Sequence, residues 1–363
     1  MKVQNLIIGK RSNLSEQLVK IIPNSKIVQL SQIKISDLSN KKINFIVNQF
    51  YPTSQINFID NYKKFYHKSL IEISEFFDKI DHKKTKINKI LYSGSSSVYG
   101  SFGNENSSNN RDLYSSTKLA AENLIKNFSK KNKIDFVIAR IFNMYGERED
   151  FSVISRIIRA IKEKKTLTVY NMGESTRDFI HTDDVVKIYR KLLNLSGSYT
   201  IDVGTGEGVK IIDLVKSIKD PKFKINYKPF RSNEIQNSIA NINFLNNKLK
   251  FKKFNRIENF FLKNNISTEN IKRIKYYKEN NLQKMTNYQK VSNIELNYEK
   301  IFSRDKSRLK IKKNYFKNKF ILITGAGGTI GSNLVREFIQ LGHHKIIMLD
   351  HDETALFNIK REH

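Results

Sequence analysis

Phe320-Ile-Leu-Ile-Thr-Gly-Ala-Gly-Gly-Thr-Ile-Gly331 is an apolar run that ends in glycines spaced G-x-x-G-x-x-G, at Gly325, Gly328 and Gly331. A helical pattern follows over Ser332–Leu341, then a second apolar run, Lys345–Leu349, and nineteen residues past Gly331 stands Asp350. Strand, glycine turn, helix, strand and acid in this order predict the start of a Rossmann-type fold. Such a turn lets the backbone approach a pyrophosphate at the unpaired N–H groups of the helix, and the acid accepts the hydroxyls of a ribose. Gly325, Gly328, Gly331 and Asp350 are therefore the expected dinucleotide contacts of this stretch. Fewer than fifty residues of such a start do not build a sheet, so 320–363 reads as a truncated second βαβ start.

Before it, residues 263–319 are rich in Lys, Asn, Tyr and Glu with weak periodicity. They are expected to be a connector, helical or partly disordered. Met285 precedes the leader of the second start, which fits two neighbouring reading frames joined in one chain, or a fragment.

Upstream lies a complete module, expected to cover 1–262. Strand-like runs stand at 3–9, 26–30, 43–47, 89–92, 136–141 and 199–203. Helical patterns fill 59–80, 115–128, 153–162 and 183–195, with another opening at Ser12 and Asn13. Strands alternating with helices predict an α/β, Rossmann-type doubly wound parallel sheet. A smaller C-terminal substrate subdomain is expected mainly over 145–262.

The chain has 363 residues, with 65 Lys+Arg against 35 Asp+Glu, a net charge of +30. Lysine is spread with Asn and Ile along the whole sequence, without zinc-finger spacing or an aromatic-interleaved basic repeat. That is a compositional bias, and nucleic acid is not the expected partner. The absence of Cys removes disulfides, thiolate zinc sites and a Cys nucleophile, and no metal site is called. No run of about 18 apolar residues occurs, so no membrane span is expected, and the default location is the cytoplasm.

The chemistry concentrates in the first module. Its first turn reads Gly9-Lys10-Arg11-Ser12-Asn13-Leu14-Ser15, with Ser12 and Ser15 at the places of two expected glycines. Both are small, and Lys10 and Arg11 suit phosphate, so Gly9, Lys10, Arg11, Ser12 and Ser15 are candidate cofactor contacts. The end of the second strand, Gln29–Ser31, has no acid for a ribose. Further on, Leu91-Tyr-Ser-Gly-Ser-Ser-Ser-Val-Tyr-Gly100 is a strand entering a hydroxyl-rich turn, and Tyr114-Ser-Ser-Thr-Lys118 opens a helix nineteen residues after Ser95. Tyr and Lys at i and i+4 share a helix face. A nearby ammonium favours tyrosinate, lowering a phenol from about 10 toward working pH. That gives an acid/base for a carbinol oxygen, with Ser95 as a second hydrogen-bond partner. Taken alone, the pair reads as an exposed helix pair.

The ordered blocks decide between these. The glycine turn, Ser-Ser-Ser-Val-Tyr-Gly, Tyr-x-x-x-Lys, Ala139-Arg-Ile-Phe-Asn-Met-Tyr-Gly146, Arg177-Asp-Phe-Ile-His-Thr-Asp-Asp184 and Tyr199-Thr-Ile-Asp-Val-Gly-Thr-Gly206 together resemble the extended short-chain dehydrogenase/reductase family. More narrowly, residues 1–260 are similar to its NAD-dependent epimerase/dehydratase group, which acts on nucleotide sugars. The resemblance implies NAD or NADP as cofactor, a nucleotide-sugar substrate and a homodimer. It implies Tyr114 as catalytic acid/base, Lys118 on the nicotinamide ribose and Ser95 on the reacting sugar oxygen. Asn143, Arg177 and Arg231 fall where that family meets the substrate's diphosphate region. Asn143 reads equally as a turn residue, and Arg177 also as an ion-pair partner of Asp178 or Asp183. His181 is expected to be packed structure, and Asp183 and Asp184 to cap the following helix.

The family's 4,6-dehydratases place an Asp-Glu pair where this chain has Ser96 and Ser97, and its decarboxylases keep a Glu there. The resemblance thus implies an epimerase or keto-sugar reductase in surface polysaccharide biosynthesis. A catalytically degenerate binding protein of the same fold is the alternative. Residues 324–332 with 348–353 resemble the start of a polysaccharide-biosynthesis type of nucleotide-sugar 4,6-dehydratase.

Overall fold

The computed structural model describes residues 3–38, 40–51, 59, 61–80, 85–99, 110–149, 152–221, 223–229, 236–275, 320–340, 345–350 and 352–362. The chain forms two compact units, Met1–Lys278 and Glu279–His363.

The first unit opens with β1 (Gln4–Ile8), α1 (Asn13–Ile21), β2 (Ser25–Val28) and β3 (Lys42–Val47). Then come α2 (Tyr62–Tyr66), a π turn His67–Ile71, α3 (Glu72–Lys79), β4 (Lys86–Ser95) and α4 (Asn110–Lys131). β5 (Asp135–Ile141), β6 (Asn143–Tyr145), α5 (Val153–Lys162), β7 (Leu167–Val169), β8 (Thr176–His181), α6 (Thr182–Leu193) and β9 (Tyr199–Val203) follow. Six strands make one parallel sheet in the order β2-β1-β3-β4-β5-β9.

Side chains alternate between the faces of this sheet, as the two-residue period of a strand requires. Ile7, Ile46, Leu91 and Val137 pack with Leu14 and Leu18 of α1 and Val185, Ile188 and Tyr189 of α6. Their neighbours Leu6, Ile8, Phe45, Ile90, Tyr92 and Ile138 point the other way, onto Phe76 and Phe77 of α3 and Ala121 and Ile125 of α4. Both faces are thus covered, which is the doubly wound layout expected from the sequence. A ladder of amides crosses three strands inside the sheet. Asn88 donates to Asn44 at 2.8 Å and Asn44 to Asn5 at 2.9 Å.

Strand order reverses between β1 and β3, so the crevice at the carboxyl ends of the strands opens there. Gly9 stands at this point with φ +143°, and a Cβ on it would meet the Asn48 carbonyl oxygen at 2.8 Å.

The remaining elements of the unit are β10 (Glu207–Lys210), α7 (Ile211–Lys216), β11 (Ile225–Tyr227), β12 (Asn237–Ser238), α8 (Asn243–Asn247), α9 (Ile257–Lys263) and β13 (Ile274–Lys275). A second sheet runs β12-β8-β10-β13, with β6 beside β8, and β11 pairs with β7. Its core is built from α5, α7 and α9 around Tyr145, Ile157, Phe179, Leu214 and Phe261. Two expectations shift here. β13 pairs with β10, so folded structure runs past the boundary expected at 262 and into the stretch read as connector. β9 lies within the 145–262 stretch yet completes the main sheet beside β5.

The second unit contains β14 (Ile321–Thr324), α10 (Thr329–Gln340), β15 (Ile346–Leu349) and α11 (Glu353–Glu362). β14 and β15 are parallel. Ile323, Val335 and Ile359 are buried on one face, while Leu322, Ile347 and Leu349 are exposed on the other.

Candidate active site

β4 ends at Ser95, and the turn Ser96–Tyr99 follows it. The Ser95 Oγ accepts the Ser97 N–H at 3.2 Å, which fixes the hydroxyl at the strand end. α4 crosses beside this end and carries Tyr114 and Lys118 on one face. The Tyr114 phenol lies beside Ser95, which favours its anion. The Lys118 ammonium donates to the Ser93 carbonyl at 2.9 Å. The three residues expected to carry the chemistry are therefore gathered at one strand end.

Their electrostatics differ from the sequence expectation. Burial pushes the Tyr114 phenol above its usual value, and the neighbouring Ser95 opposes this. Burial also pushes Lys118 down to about 7, against the pull of Glu122. Its Nζ lies 4.2 Å from the Phe50 ring centroid, 5.0 Å from that of Tyr92 and 5.9 Å from that of Tyr114. An ammonium half-neutral near pH 7 is a weak source of field, so lysine alone does not bring the phenol toward neutrality here.

At the first turn, Ser12 caps α1. Its Oγ accepts the Ser15 N–H at 3.2 Å, and Asn48 Nδ2 donates to Ser15 Oγ at 2.8 Å. Ser15 is fully buried, so it fills a glycine's place by bonding to the neighbouring strand end. Lys10 and Arg11 are exposed beside the turn. Among the described residues, five buried side-chain polar atoms have no partner, and two of them are Asn13 Nδ2 at the head of α1 and Ser97 Oγ in the turn after β4. A buried donor at a helix N-terminus and a hydroxyl beside the Tyr114 site fit a polar, phosphate-bearing cofactor lying across these strand ends. The close approach at Gly9 fits it too.

The remaining candidates among the described residues lie on β6 and β8. Asn143 Nδ2 donates to the Asp178 carbonyl at 3.0 Å, tying β6 to β8. Arg177 is half-buried on β8, with Nη1 on the Thr176 carbonyl at 3.0 Å. Asp178 is wholly engaged elsewhere, accepting from Thr205, Gly206 and Ala240. Arg231 lies outside the described residues. His181 is packed against Tyr145 and Phe260, as expected. It also takes the capping role expected of the aspartates: its Nδ1 accepts the Asp183 N–H at 3.2 Å, while Asp184 holds Asn255.

In the second unit, Gly325 has φ +67°, and a Cβ on Gly331 would overlap the Gly325 carbonyl oxygen. The Asp350 carboxylate accepts the Gly327 N–H at 2.7 Å, bracing the glycine turn, with a cavity of about 640 Å³ alongside.

Sequence reasoning missed a buried polar chain beside the site. Glu122 of α4 is fully buried and paired with Arg140 of β5 at 2.7 Å. The Arg140 guanidinium lies 4.8 Å from the Tyr99 ring centroid, and the Tyr99 hydroxyl donates to Asp202 of β9. Its only sequence signal is an acid four residues past Lys118, on the same helix face.

Sheet order, crevice and the Ser–Tyr–Lys cluster define an extended short-chain dehydrogenase/reductase fold. The model of the NAD dependent epimerase/dehydratase family matches residues 67–204, and that of a polysaccharide biosynthesis protein family matches 321–363. Residues 67–204 are thus similar to the NAD-dependent epimerase/dehydratase family. It is 24% identical over 253 residues to dTDP-D-glucose 4,6-dehydratase of Dictyostelium discoideum, covering 57% of this chain and 58% of that protein. It is 30% identical over 145 residues to UDP-glucuronic acid decarboxylase 6 of Arabidopsis thaliana, covering 36% of this chain and 42% of that one. The chain thus spans well under two thirds of these relatives. Among solved structures, MoeE5 in complex with UDP-glucuronic acid and NAD superposes with a TM-score of 0.58 at 19% identity, covering 70% of this chain and 95% of that one. At that identity the likeness is one of fold. Among the described residues, no helix is long and apolar enough to cross a membrane.

Proposed function

We propose that the first unit is an NAD(P)-dependent nucleotide-sugar epimerase or keto-sugar reductase that serves surface polysaccharide synthesis. The observation that carries this reading is the gathering of Ser95, Tyr114 and Lys118 at the carboxyl end of β4, with Lys118, one turn further along α4, donating from Nζ to the Ser93 carbonyl. NAD(P), when bound, supplies hydride exchange at a sugar carbon. On reduction the Tyr114 phenol would give its proton to the sugar oxygen, and on oxidation its phenolate form would take that proton back, with Ser95 Oγ hydrogen-bonded to the same oxygen. Gly9, Lys10, Arg11, Ser12 and Ser15, with the Asn13 amide, would hold the cofactor phosphates at the head of α1. Lys118 would turn a hydrogen toward the ribose. Arg177 and Arg231, whose forks suit paired oxygens, would meet the substrate diphosphate with Asn143. The turn after Ser95 offers Ser96 and Ser97, and a hydroxyl does not replace the carboxylate acid/base of a dehydratase. In the second unit, Gly325, Gly328, Gly331 and Asp350 would form a separate cofactor half-site. We propose a second copy of the chain as partner.

Titration with NAD(H) and NADP(H), then a panel of nucleotide sugars and keto-sugars with product identification, tests the reading. Tyr114→Phe should abolish turnover and leave the fold intact; unchanged turnover sinks the assignment. A second reading, a non-catalytic sugar-nucleotide binder, is favoured by the Phe50 ring over Lys118 and by the single glycine of the first turn. No saturable binding of either cofactor would select it.

A further inference from the structure

The ion pair between Glu122 and Arg140 is set directly against the proposed reacting centre. Glu122 stands one helical turn past Lys118 on α4. Arg140 grips its carboxylate with two nitrogens, Nε to Oε1 at 3.1 Å and Nη2 to Oε2 at 2.7 Å, and Lys126 Nζ adds a contact at 3.7 Å. A fork-shaped grip of this kind fixes the carboxylate's orientation as well as its charge. Gly94, the residue before Ser95, is pressed against it: a Cβ there would lie 3.1 Å from Glu122 Oε1 and 3.2 Å from the Ala139 carbonyl oxygen.

The grip continues to the far side of the turn. The Arg140 guanidinium covers the ring of Tyr99, whose hydroxyl bonds Asp202, and Asp202 Oδ2 accepts the Asn241 N–H at 2.9 Å. The turn that carries Ser95 is thereby held at both ends, by Gly94 under the carboxylate and by Tyr99 under the guanidinium. A buried ion pair is a poor source of stability, because desolvation offsets its attraction. Placement is what this one contributes.

We infer that Glu122, oriented by Arg140, is a positioning residue of the Ser95–Tyr114–Lys118 site, fixing α4 against the end of β4 and supplying a buried negative charge to the Lys118 amine. This rests on the reading of those three residues as the reacting centre. The charge of Glu122 opposes the burial that pushes Lys118 down to about 7. The ionisable groups around the pair are Lys118 and Lys126 on α4, Tyr92 on β4, Tyr99 in the turn, Arg140 on β5 and Asp202 on β9. Tyr114 and Tyr92 flank the lysine, and Tyr189 of α6 neighbours Tyr92.

The test is a pH titration by NMR of the full chain with lysines labelled with carbon-13 at Cε. The Lys118 signal is assigned by its loss in Lys118→Met. Glu122→Gln keeps the shape of the side chain and leaves Arg140 as an uncompensated cation. The Lys118 midpoint should then fall by about one pH unit or more, a tenfold loss of proton affinity. Arg140→Gln leaves the carboxylate uncompensated, and the midpoint should rise. The opposite signs separate a charge acting on Lys118 from general loosening of the fold. An unmoved midpoint in whichever variant folds, or movement in the same direction in both, overturns the inference. Neither titration needs cofactor or turnover, so a shifted midpoint in a chain that binds no NAD(P) leaves this inference standing and removes only the enzymatic reading.

Discussion

The Lys118 ammonium lies 4.2 Å from the centroid of Phe50, so an aromatic ring from the loop after β3 roofs the amine that the proposed reaction needs. The same ring meets Tyr114 edge to face at 5.1 Å. Aromatic faces attract cations, so Phe50 and a cofactor ribose compete for one ammonium.

Phe50→Ala should therefore tighten NAD(H) or NADP(H) binding severalfold. Fluorescence titration of the reduced cofactor reads this. Weaker binding in the folded variant would show that the ring supports the site instead of covering it.

Lys118 makes stability depend on pH. Its folded value is lowered to about 7 from 10.5. Between those values the unfolded chain holds a proton that the folded chain has released, so stability rises with pH across that window. The full effect is on the order of 5 kcal/mol by linkage. Lys118→Met removes the titrating group. Denaturant melts of wild type and Lys118→Met from pH 6 to pH 10 should show the wild type gaining on the variant. Parallel curves would contradict the burial of a neutralising amine.

Gly9 combines a left-handed φ with a close approach to Asn48. Gly9→Ala should cost about 1–3 kcal/mol in strain and push the turn off the β3 end. The expected result is a lower urea midpoint together with lost cofactor affinity. Unchanged stability would mean that the turn relaxes freely.

Asp178 is fully buried and accepts five hydrogen bonds from Thr205, Gly206 and Ala240. An amide oxygen accepts from only some of these donors. Asp178→Asn should destabilise by about 2–4 kcal/mol, read from urea unfolding. Burial pushes this carboxyl up to about 6. Its folded value exceeds the ordinary one, so the proton it retains favours folding below about pH 4, and that contribution is lost as pH rises through 6.

What was legible in the sequence was local. Alternating apolar runs marked all six strands of the main sheet except for their order, and Tyr114 and Lys118 declared themselves by helical spacing. What escaped needed pairings between distant strands. Arg140 meets Glu122 only because β5 lies beside β4 under α4, and Tyr99 meets Asp202 only because β9 pairs with β5. β6 and β10 escaped because they are short, and β8 because its six residues mix charged and apolar side chains around the buried Asp178. Asn143 read equally as a substrate contact and as a turn residue, and its bond to the Asp178 carbonyl needed the pairing of β6 with β8. Lys118 was expected to lower the Tyr114 phenol; depth of burial, which no spacing reveals, raises it instead.

β9 has a consequence for how the first unit assembles. It is inserted in sequence between β8 and β10, both strands of the other sheet, yet it closes the main sheet on β5. The chain therefore leaves the second sheet for the main one and returns, and no single cut separates them. A chain halted on the ribosome before Tyr199 would present β5 as an open parallel edge, prone to recruiting a stray strand. Dissection at the apparent layer boundary should yield aggregates instead of two folding halves.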